Sequence, residues 1–455
     1  MRSFNQPLNR RQRGFSLIFS ALAFAFFLIP LCGLAVDGAV AYASRTQLSM
    51  ALDAAAMSGA RSLANGRNSA DQIANATARA RAVAQANLPL GGLSGVLNFE
   101  SIRVEQPSDF RRLFTITGRL DVPTYFMRWF GYNSLPVRVT AQAVRRDVNI
   151  AMVLDRSGSL AASRSCTPMK DAATAFSDRF AEGRDNMSLV TFATSVFNNF
   201  PIAGNFKTGA PNVPSEIATI DCGGGTNMSG GLWQGYEQLT QLRQPDALNV
   251  ILLFTDGQPT AAPMDLPISA ASGCVDKSNR RGVIYADGGW MGGIFKMALP
   301  TRPVGDDFVA ITNANGCAFN ADWGRVGQDL EALPNTDING NALSGYQAVS
   351  RSRGAITPTK QNATAAVINA VDSAAARIRA ATPTAAGPGL ENVLVFTIGL
   401  GAGVSEDLLL RLANDKRSPI FDRTKPAGSY MFVASADDLD ETFQRVASEV
   451  LRLAQ

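Results

Sequence analysis

The sequence predicts an α/β protein: a doubly wound, mainly parallel sheet with a large insert, preceded by a transmembrane helix and a small α+β domain. Three observations predict it. Residues 14–36 are charge-free and mainly apolar, residues 91–146 contain alternating apolar and polar runs, and from Asp147 onward buried strand-like runs alternate with amphipathic helical ones. At 455 residues and 46% hydrophobic, the chain is ample for a large core plus a second unit. The formal charge of +4 is small for this length and much of it sits at the N-terminus, so no nucleic-acid partner is expected. Histidine is absent. That removes the usual general base, the Ser-His and Cys-His nucleophile pairs and the commonest zinc ligand.

The N-terminus reads as a membrane anchor. Arg2, Arg10, Arg11 and Arg13 lie in a basic tail, residues 1–13, and Asp37 follows the apolar run 14–36. The run is long enough to cross a bilayer as a helix, and the positive-inside rule places the tail in the cytoplasm and everything after Asp37 outside. Pro30 predicts a kink. Ala41-Tyr42-Ala43 has the form of a signal cleavage site, but the apolar run exceeds the usual signal core of about 7–15 residues, so the anchor is expected to be retained. Leu31 before Cys32 is too large for a lipoprotein signal. Beyond the span, alanine-rich residues continue the helix until Asn65-Gly66, and residues 37–90 read as a helical stalk. Residues 14–64 as one helix would reach about 75 Å.

Gly14-Phe15 after the arginines, the apolar span, and Leu34-Ala35-Val36-Asp37-Gly38 running into Gln47-Leu48-Ser49-Met50-Ala51-Leu52-Asp53-Ala54-Ala55-Ala56 together resemble a known pattern. It is the TadG-like N-terminal region of tight-adherence (Flp) pilus assembly proteins. The resemblance implies a single-pass protein of a bacterial inner membrane, with its bulk periplasmic or surface-exposed and pilus components among its partners. Pilins of this wider group carry a glutamate at the fifth position after the glycine, where this chain has Phe19. That departure argues against cleavage after Gly14 and for an accessory role rather than that of a major subunit.

Residues 91–146 read as a small α+β domain. Ser69 is placed to cap an alanine-rich helix that ends near Pro89, and residues 114–122 and 137–143 alternate as half-buried strands do. Tyr125, Phe126, Trp129 and Phe130 lie between those strands at helical spacing. They are read first as the core of this small domain, with an oligomerisation or membrane-surface patch as the functional alternative.

The main domain covers residues 147–455. Its strand-like runs are 148–155, 187–193, 248–256, 393–399 and 430–433. Its last helix shows the clearest stripe, Leu439, Phe443, Val446, Val450 and Leu453, with Ser435 as cap and Asp437 and Asp438 in the first turn. A sheet of this type gathers ligands at the carboxyl ends of its strands. At those ends stand Asp155-Arg156-Ser157-Gly158-Ser159 and Thr255-Asp256-Gly257, and a loop Gly223-Gly224-Gly225-Thr226-Asn227 adds a hydroxyl. Two acids and three hydroxyls form an oxygen-only set suited to Mg²⁺, Mn²⁺ or Ca²⁺ rather than zinc or copper.

With those residues in view, the region resembles a von Willebrand factor type A domain with a metal-ion-dependent adhesion site. The family pattern, Asp-x-Ser-x-Ser, then Thr, then Asp, is matched at Asp155, Ser157, Ser159, Thr226 and Asp256. The resemblance implies that Ser157, Ser159 and Thr226 bind the ion directly and that Asp155 and Asp256 act largely through water. Mostly neutral direct ligands leave the ion electron-poor, so that a partner protein's carboxylate completes its octahedron. Neither glycine-rich loop argues for an enzyme. Gly223-Gly224-Gly225-Thr226 lacks the lysine of a phosphate-binding loop, and Gly399-Leu400-Gly401-Ala402-Gly403 misplaces the third glycine of a dinucleotide fingerprint. The expected role is divalent-cation-dependent protein binding or adhesion within a tight-adherence system, without catalysis. A structural pilus tip or minor subunit, and a surface adhesin, are the alternatives.

Cys32 lies in the span, which leaves Cys166, Cys222, Cys274 and Cys317 outside with three pairings open. Pairing Cys166 with Cys222 would brace the metal loops from both sides and leave Cys274 with Cys317. The stretch from about 259 to 360 is far longer than an α/β loop and reads as a folded insert starting on the metal-bearing face. Trp290, Ile294 and Phe295 are read first as the insert's own small core, with a specificity surface as the functional alternative.

Overall fold

The computed structural model describes residues 19–22, 24–63, 69–88, 96–108, 111–244, 246–269, 280–286, 294–299, 301–303, 330–381 and 390–454. The chain divides into two compact units at Arg145 and Arg146.

In the first unit, α1 (Ile29–Ser62) continues a helical stretch that includes a wider π turn at Phe24–Leu28. Pro30 explains the irregularity, because it has no N–H to donate and its ring crowds the carbonyl four residues earlier. The helical stretch Phe19–Ser62 is long and apolar enough to cross a membrane, with a mean hydropathy of 2.3 over its most apolar window. Phe19, Phe26, Phe27 and Leu31 on it are exposed.

The later half of α1 is no free stalk. Leu48, Leu52, Ala55, Ala56 and Ala60 are buried in one core with Ala76, Ala80 and Ala84 of α2 (Ser69–Ala86) and with Phe114, Ile116, Leu120 and Val122 of a three-stranded sheet. That sheet runs in the order β1 (Leu97–Ser108), β2 (Arg111–Pro123), β3 (Ser134–Arg146). The stalk read over 37–90 and the domain read over 91–146 are therefore parts of one α+β unit. Small residues allow it: a Cβ on Gly59 would lie 2.6 Å from the Phe114 ring, so the sheet packs on bare helix backbone. Pro89 and residues 64–68 lie outside the described residues.

The aromatics between β2 and β3 also depart from the first reading. They lie on a turn, Met127–Phe130 in 3₁₀ form, and Tyr125, Phe126, Trp129, Phe130 and Tyr132 are exposed rather than packed in the core.

The second unit is built on β4 (Val148–Asp155), β5 (Asn186–Phe192), β6 (Val196–Ala203), β7 (Leu248–Thr255), β13 (Leu394–Leu400) and β14 (Tyr430–Val433). Their spatial order is β14-β13-β7-β4-β5-β6, parallel except for the edge strand β6. Every residue of β4 and β7 is buried, as expected for central strands covered on both faces. Side chains alternate between two cores. Ile150, Met152, Val250 and Leu252 face α4 (Cys166–Ser177) and α9 (Leu439–Leu453), whereas Ala151, Val153, Ile251 and Leu253 face α6 (Met228–Leu242), α7 (Lys360–Ala380) and α8 (Glu406–Ala413). On the second face Gly235 permits the approach, since a Cβ there would sit 2.7 Å from Val153. Two short helices, α3 (Gly158–Ala162) and α5 (Val213–Ala218), complete the loops at the strand ends. Sequence reasoning missed β6, whose Asn198-Asn199 and Pro201 break the apolar pattern, and an edge position tolerates both. Ser435 caps a 3₁₀ turn, Ala436–Asp438, that leads into α9.

The insert is folded where it is described. β8 (Ala261–Asp265), β9 (Arg281–Tyr285) and β10 (Ile294–Phe295) form an antiparallel sheet, followed by the short hairpin of β11 (Arg351–Ser352) and β12 (Ala355–Ile356). Met264, Ile268, Ile284, Leu333 and Ile356 share a core with Ala363, Ala366 and Val367 of α7. Phe295 is buried against Ala261, Val283 and Tyr285, so it serves the insert's own packing and not an outer surface. Trp290, Cys274 and Cys317 lie outside the described residues.

Cys166, opening α4, is joined to Cys222 with Cα atoms 6.3 Å apart. Non-reducing peptide mapping of the full chain should recover this pair as a linked peptide. A peptide joining Cys166 to Cys274 instead would contradict the fold around both loops.

Candidate metal centre

The site starts from one buried acid. Asp155 ends β4 with no exposed surface, one carboxylate oxygen accepting the Ser157 N–H at 2.7 Å and the other accepting the Thr255 hydroxyl at 2.6 Å. Because Thr255 ends the neighbouring strand β7, Asp155 ties the exits of two strands together. The two exits then converge. Ser157 Oγ lies 3.0 Å from Ser159 Oγ, and the two hydroxyls donate to Asp256 Oδ1 at 3.5 and 2.6 Å respectively.

The third loop is held against the first by backbone bonds. Gly158 N donates to Gly224 O at 3.0 Å, and Gly223 N donates to Arg156 O at 2.7 Å. Arg156 is buried and its guanidinium donates to the Asp221 and Gly223 carbonyls at 3.3 and 3.4 Å, so the unspecified second residue of the first motif locks the two loops. Gly224 takes a φ of +94°, a conformation that suits glycine. Thr226 follows, its N–H donating to Thr260 Oγ1 at 2.9 Å, and Asn227 caps α6 by accepting from Gly230 N at 3.0 Å.

Ser157, Ser159 and Thr226 line one cleft of about 440 Å³, and Asp256 is reached through the two serines. The far wall comes from Gln258, Thr260 and Tyr285 at and beyond the start of the insert, with Thr364 of α7 and Gly403. Gly403 is small for a local reason: a Cβ would fall 2.7 Å from the Asp256 carbonyl oxygen. The glycines after β13 thus admit the loop beside β7. The structure brings the five motif residues to adjoining strand-end loops, and sequence reading did not single out Arg156, Thr194, Thr255, Thr260 and Tyr285, which hold or line that place. Thr255 adjoins a motif residue and Arg156 lies inside one, whereas Thr194, which accepts from Gly225 N at 2.9 Å, carries no pattern of its own.

Electrostatically the site is short of positive charge. Burial, and then the charge of Asp256, raise the Asp155 carboxyl to about 7, and burial raises Asp256 too despite its serine donors. Two acids pushed up by desolvation, one of them also by its partner's charge, are the expected state of a pair whose counter-charge is a cation. The donor set fits a hard divalent ion: it is all oxygen, its three hydroxyls line one cleft, and Asp256 is hydrogen-bonded to two of them.

Two family models match parts of this chain. Residues 150–258 match the von Willebrand factor type A domain family, and residues 14–62 match the Flp pilus-assembly TadE/G-like family. No curated protein matches the chain. Among solved structures, the vWF domain of the type V pili tip protein Mfa5 from Porphyromonas gingivalis is 14% identical, with a TM-score of 0.38 over 69% of this chain and 98% of that one. A single-residue mutant of the PilB minor pilin from Streptococcus sanguinis is 15% identical, with a TM-score of 0.36 over 81% of each chain. Proximal thread matrix protein 1 from the mussel byssus is 15% identical with a TM-score of 0.33, and the match covers 68% of this chain but only 46% of that one. None is similar enough to carry a residue's role across.

The raised acids set a pH dependence. Without metal, the folded Asp155 keeps its proton up to about 7 whereas an unfolded aspartate releases it near 3.8, so its favourable contribution is complete below 3.8 and lost as pH rises through about 7. In chelator, melting of the full chain in detergent should show this fall between those values, and an Asp155→Asn chain should show a flatter profile. A wild-type profile that rises across the window relative to Asp155→Asn would contradict the assigned pair.

Proposed function

We propose that this chain, a type A domain joined to a TadE/G-like segment, is a membrane-anchored protein that binds other proteins through a divalent cation during bacterial tight-adherence pilus assembly. The observation that carries the reading is the meeting of Ser157, Ser159 and Thr226 around one cleft, with Asp256 accepting from the two serines and Asp155 buried beneath the first loop. Ser157, Ser159 and Thr226 would hold Mg²⁺ or Mn²⁺ directly, with Asp155 and Asp256 acting largely through water. The ion supplies an open electropositive position for a partner's carboxylate.

The chain's own residues supply the rest. Asp155 orients Ser157 through its backbone N–H, Arg156 keeps the second loop in place, and Thr260 fixes the backbone of Thr226. Tyr285 and Gln258 line the cleft beside the hydroxyls, which supports a share of the insert in selecting the partner. No general base or activated nucleophile stands in this reading, and the role is binding without catalysis. The TadE/G-like match and the apolar helix support a pilus-associated, membrane-anchored protein. The arginines before residue 14 give the orientation: tail in the cytoplasm, bulk in the periplasm or at the surface.

Binding of Mg²⁺ or Mn²⁺ should stabilise the full chain by about 2.7 kcal/mol at a hundredfold excess over the dissociation constant. The Ser157→Ala, Ser159→Ala double variant should fold and lose that gain. Identical melting in EDTA, Mg²⁺ and Mn²⁺ would remove the metal assignment. Cell fractionation checks the location. Carbonate-resistant membrane protein supports a role in assembly, and recovery in sheared pili instead would favour the tip or adhesin reading.

A further inference from the structure

The exposed aromatic turn between β2 and β3 is bolted to α1 at the edge of the apolar span. Asp37, the first charged residue after residues 14–36, is buried, and its carboxylate accepts three consecutive backbone N–H groups: Tyr125 at 2.8 Å, Phe126 at 3.0 Å and Met127 at 2.7 Å. Those are the donors at the head of the 3₁₀ turn Met127–Phe130, which otherwise have no partner within the turn. One turn earlier on α1, Gly33 gives the Phe126 ring a seat: a Cβ there would lie 2.6 Å from the ring's Cγ. Gly33 is inside the apolar run, so Phe126 reaches past its end.

The turn is stiff. Thr124 N donates to Asn133 O at 3.1 Å, Tyr132 N donates to Met127 O at 3.2 Å, and the Thr124 hydroxyl bonds the Tyr132 carbonyl. On this frame Trp129 is 80% exposed, Phe130 70% and Tyr132 60%, with Arg128 exposed beside them. Rings of this size held open on a rigid turn mark a binding surface, not a core that failed to close.

We propose that residues 124–133 form an interfacial collar that inserts Trp129 and Phe130 into the boundary between lipid headgroups and acyl chains. The proposal rests on the reading of residues 14–36 as a membrane span, and that span identifies the occupant. A turn whose ring packs on Gly33, and whose backbone hangs from Asp37, cannot leave the bilayer surface while α1 crosses it. Gly33 and Asp37 are four residues apart, about 6 Å along the helix, which places the turn at the depth where Trp and Tyr concentrate in membrane proteins. The Trp129 and Tyr132 rings each combine an apolar body with a polar group for the headgroups, Phe130 adds apolar depth, and Arg128 suits anionic lipid. Asp37 removes the three bare N–H groups that would make such an insertion costly.

The test uses the full chain reconstituted in phosphatidylcholine–phosphatidylglycerol vesicles whose acyl chains carry bromine either near the headgroup or near the bilayer centre. Comparison with Trp129→Phe, which keeps an apolar ring, isolates the Trp129 emission. Quenching by shallow bromine that is lost in Trp129→Phe, and is weaker with deep bromine, supports the collar. Equal quenching of the two chains overturns it, as does a Trp129 signal shielded from aqueous iodide yet untouched by brominated lipid, which would mean that another protein or a second copy covers the turn. Carbonate extraction of the same vesicles separates the two readings. A retained chain with no Trp129 quenching rejects the collar alone, and a released chain rejects the span and the collar together.

Discussion

Everything at the strand ends depends on one buried carboxylate. Asp155 has no exposed surface, and both its oxygens are committed, one to the backbone of its own loop and one to the end of the adjacent strand. A buried acid is tolerated only where donors surround it, so the hydrogen bonds to Ser157 N and Thr255 Oγ1 are conditions for the fold as well as for the site. Their geometric result is that Ser157 and Ser159 are presented toward Asp256.

The sheet and the five motif residues were legible because both follow from short-range patterns. Runs such as Asn149-Ile150-Ala151-Met152-Val153-Leu154 admit few placements other than a central strand, and an acid with hydroxyls two and four residues later fixes its own loop. The far wall of the cleft was not legible. Thr260 and Tyr285 reach it through the insert, and no spacing relates them to Asp155. Residues 37–63 misled for a similar reason. An alanine-rich helix looks self-sufficient, and the residues that bury it, Phe114 to Val122, come much later in the chain. The aromatics of the 3₁₀ turn were read as core from residue type alone, whereas their exposure is set by Asp37, far away in sequence, which gathers the turn's backbone and leaves its rings outside.

Small residues perform two separate tasks here, and the structure distinguishes them. Gly59 and Gly235 are flat seats that let a ring or a strand side chain touch helix backbone, so a larger residue at either would push layers apart. Gly224 and Gly403 serve the loops: one adopts a backbone conformation with positive φ, the other passes close to the Asp256 carbonyl. Composition alone could not separate these uses, and the glycine-rich loops that resemble nucleotide-binding motifs belong to the second kind.

The continuity of α1 has a consequence for the order in which the protein is made. The helix emerges from the ribosome before any strand of its own unit, and α2 follows it, yet the cover over Leu48, Leu52, Ala55 and Ala60 is completed only when Phe114, Ile116 and Val137 arrive. For that interval the later half of α1 is a helix with an unmet apolar face. Its alanines keep that face narrow, so little apolar surface waits for the sheet to arrive.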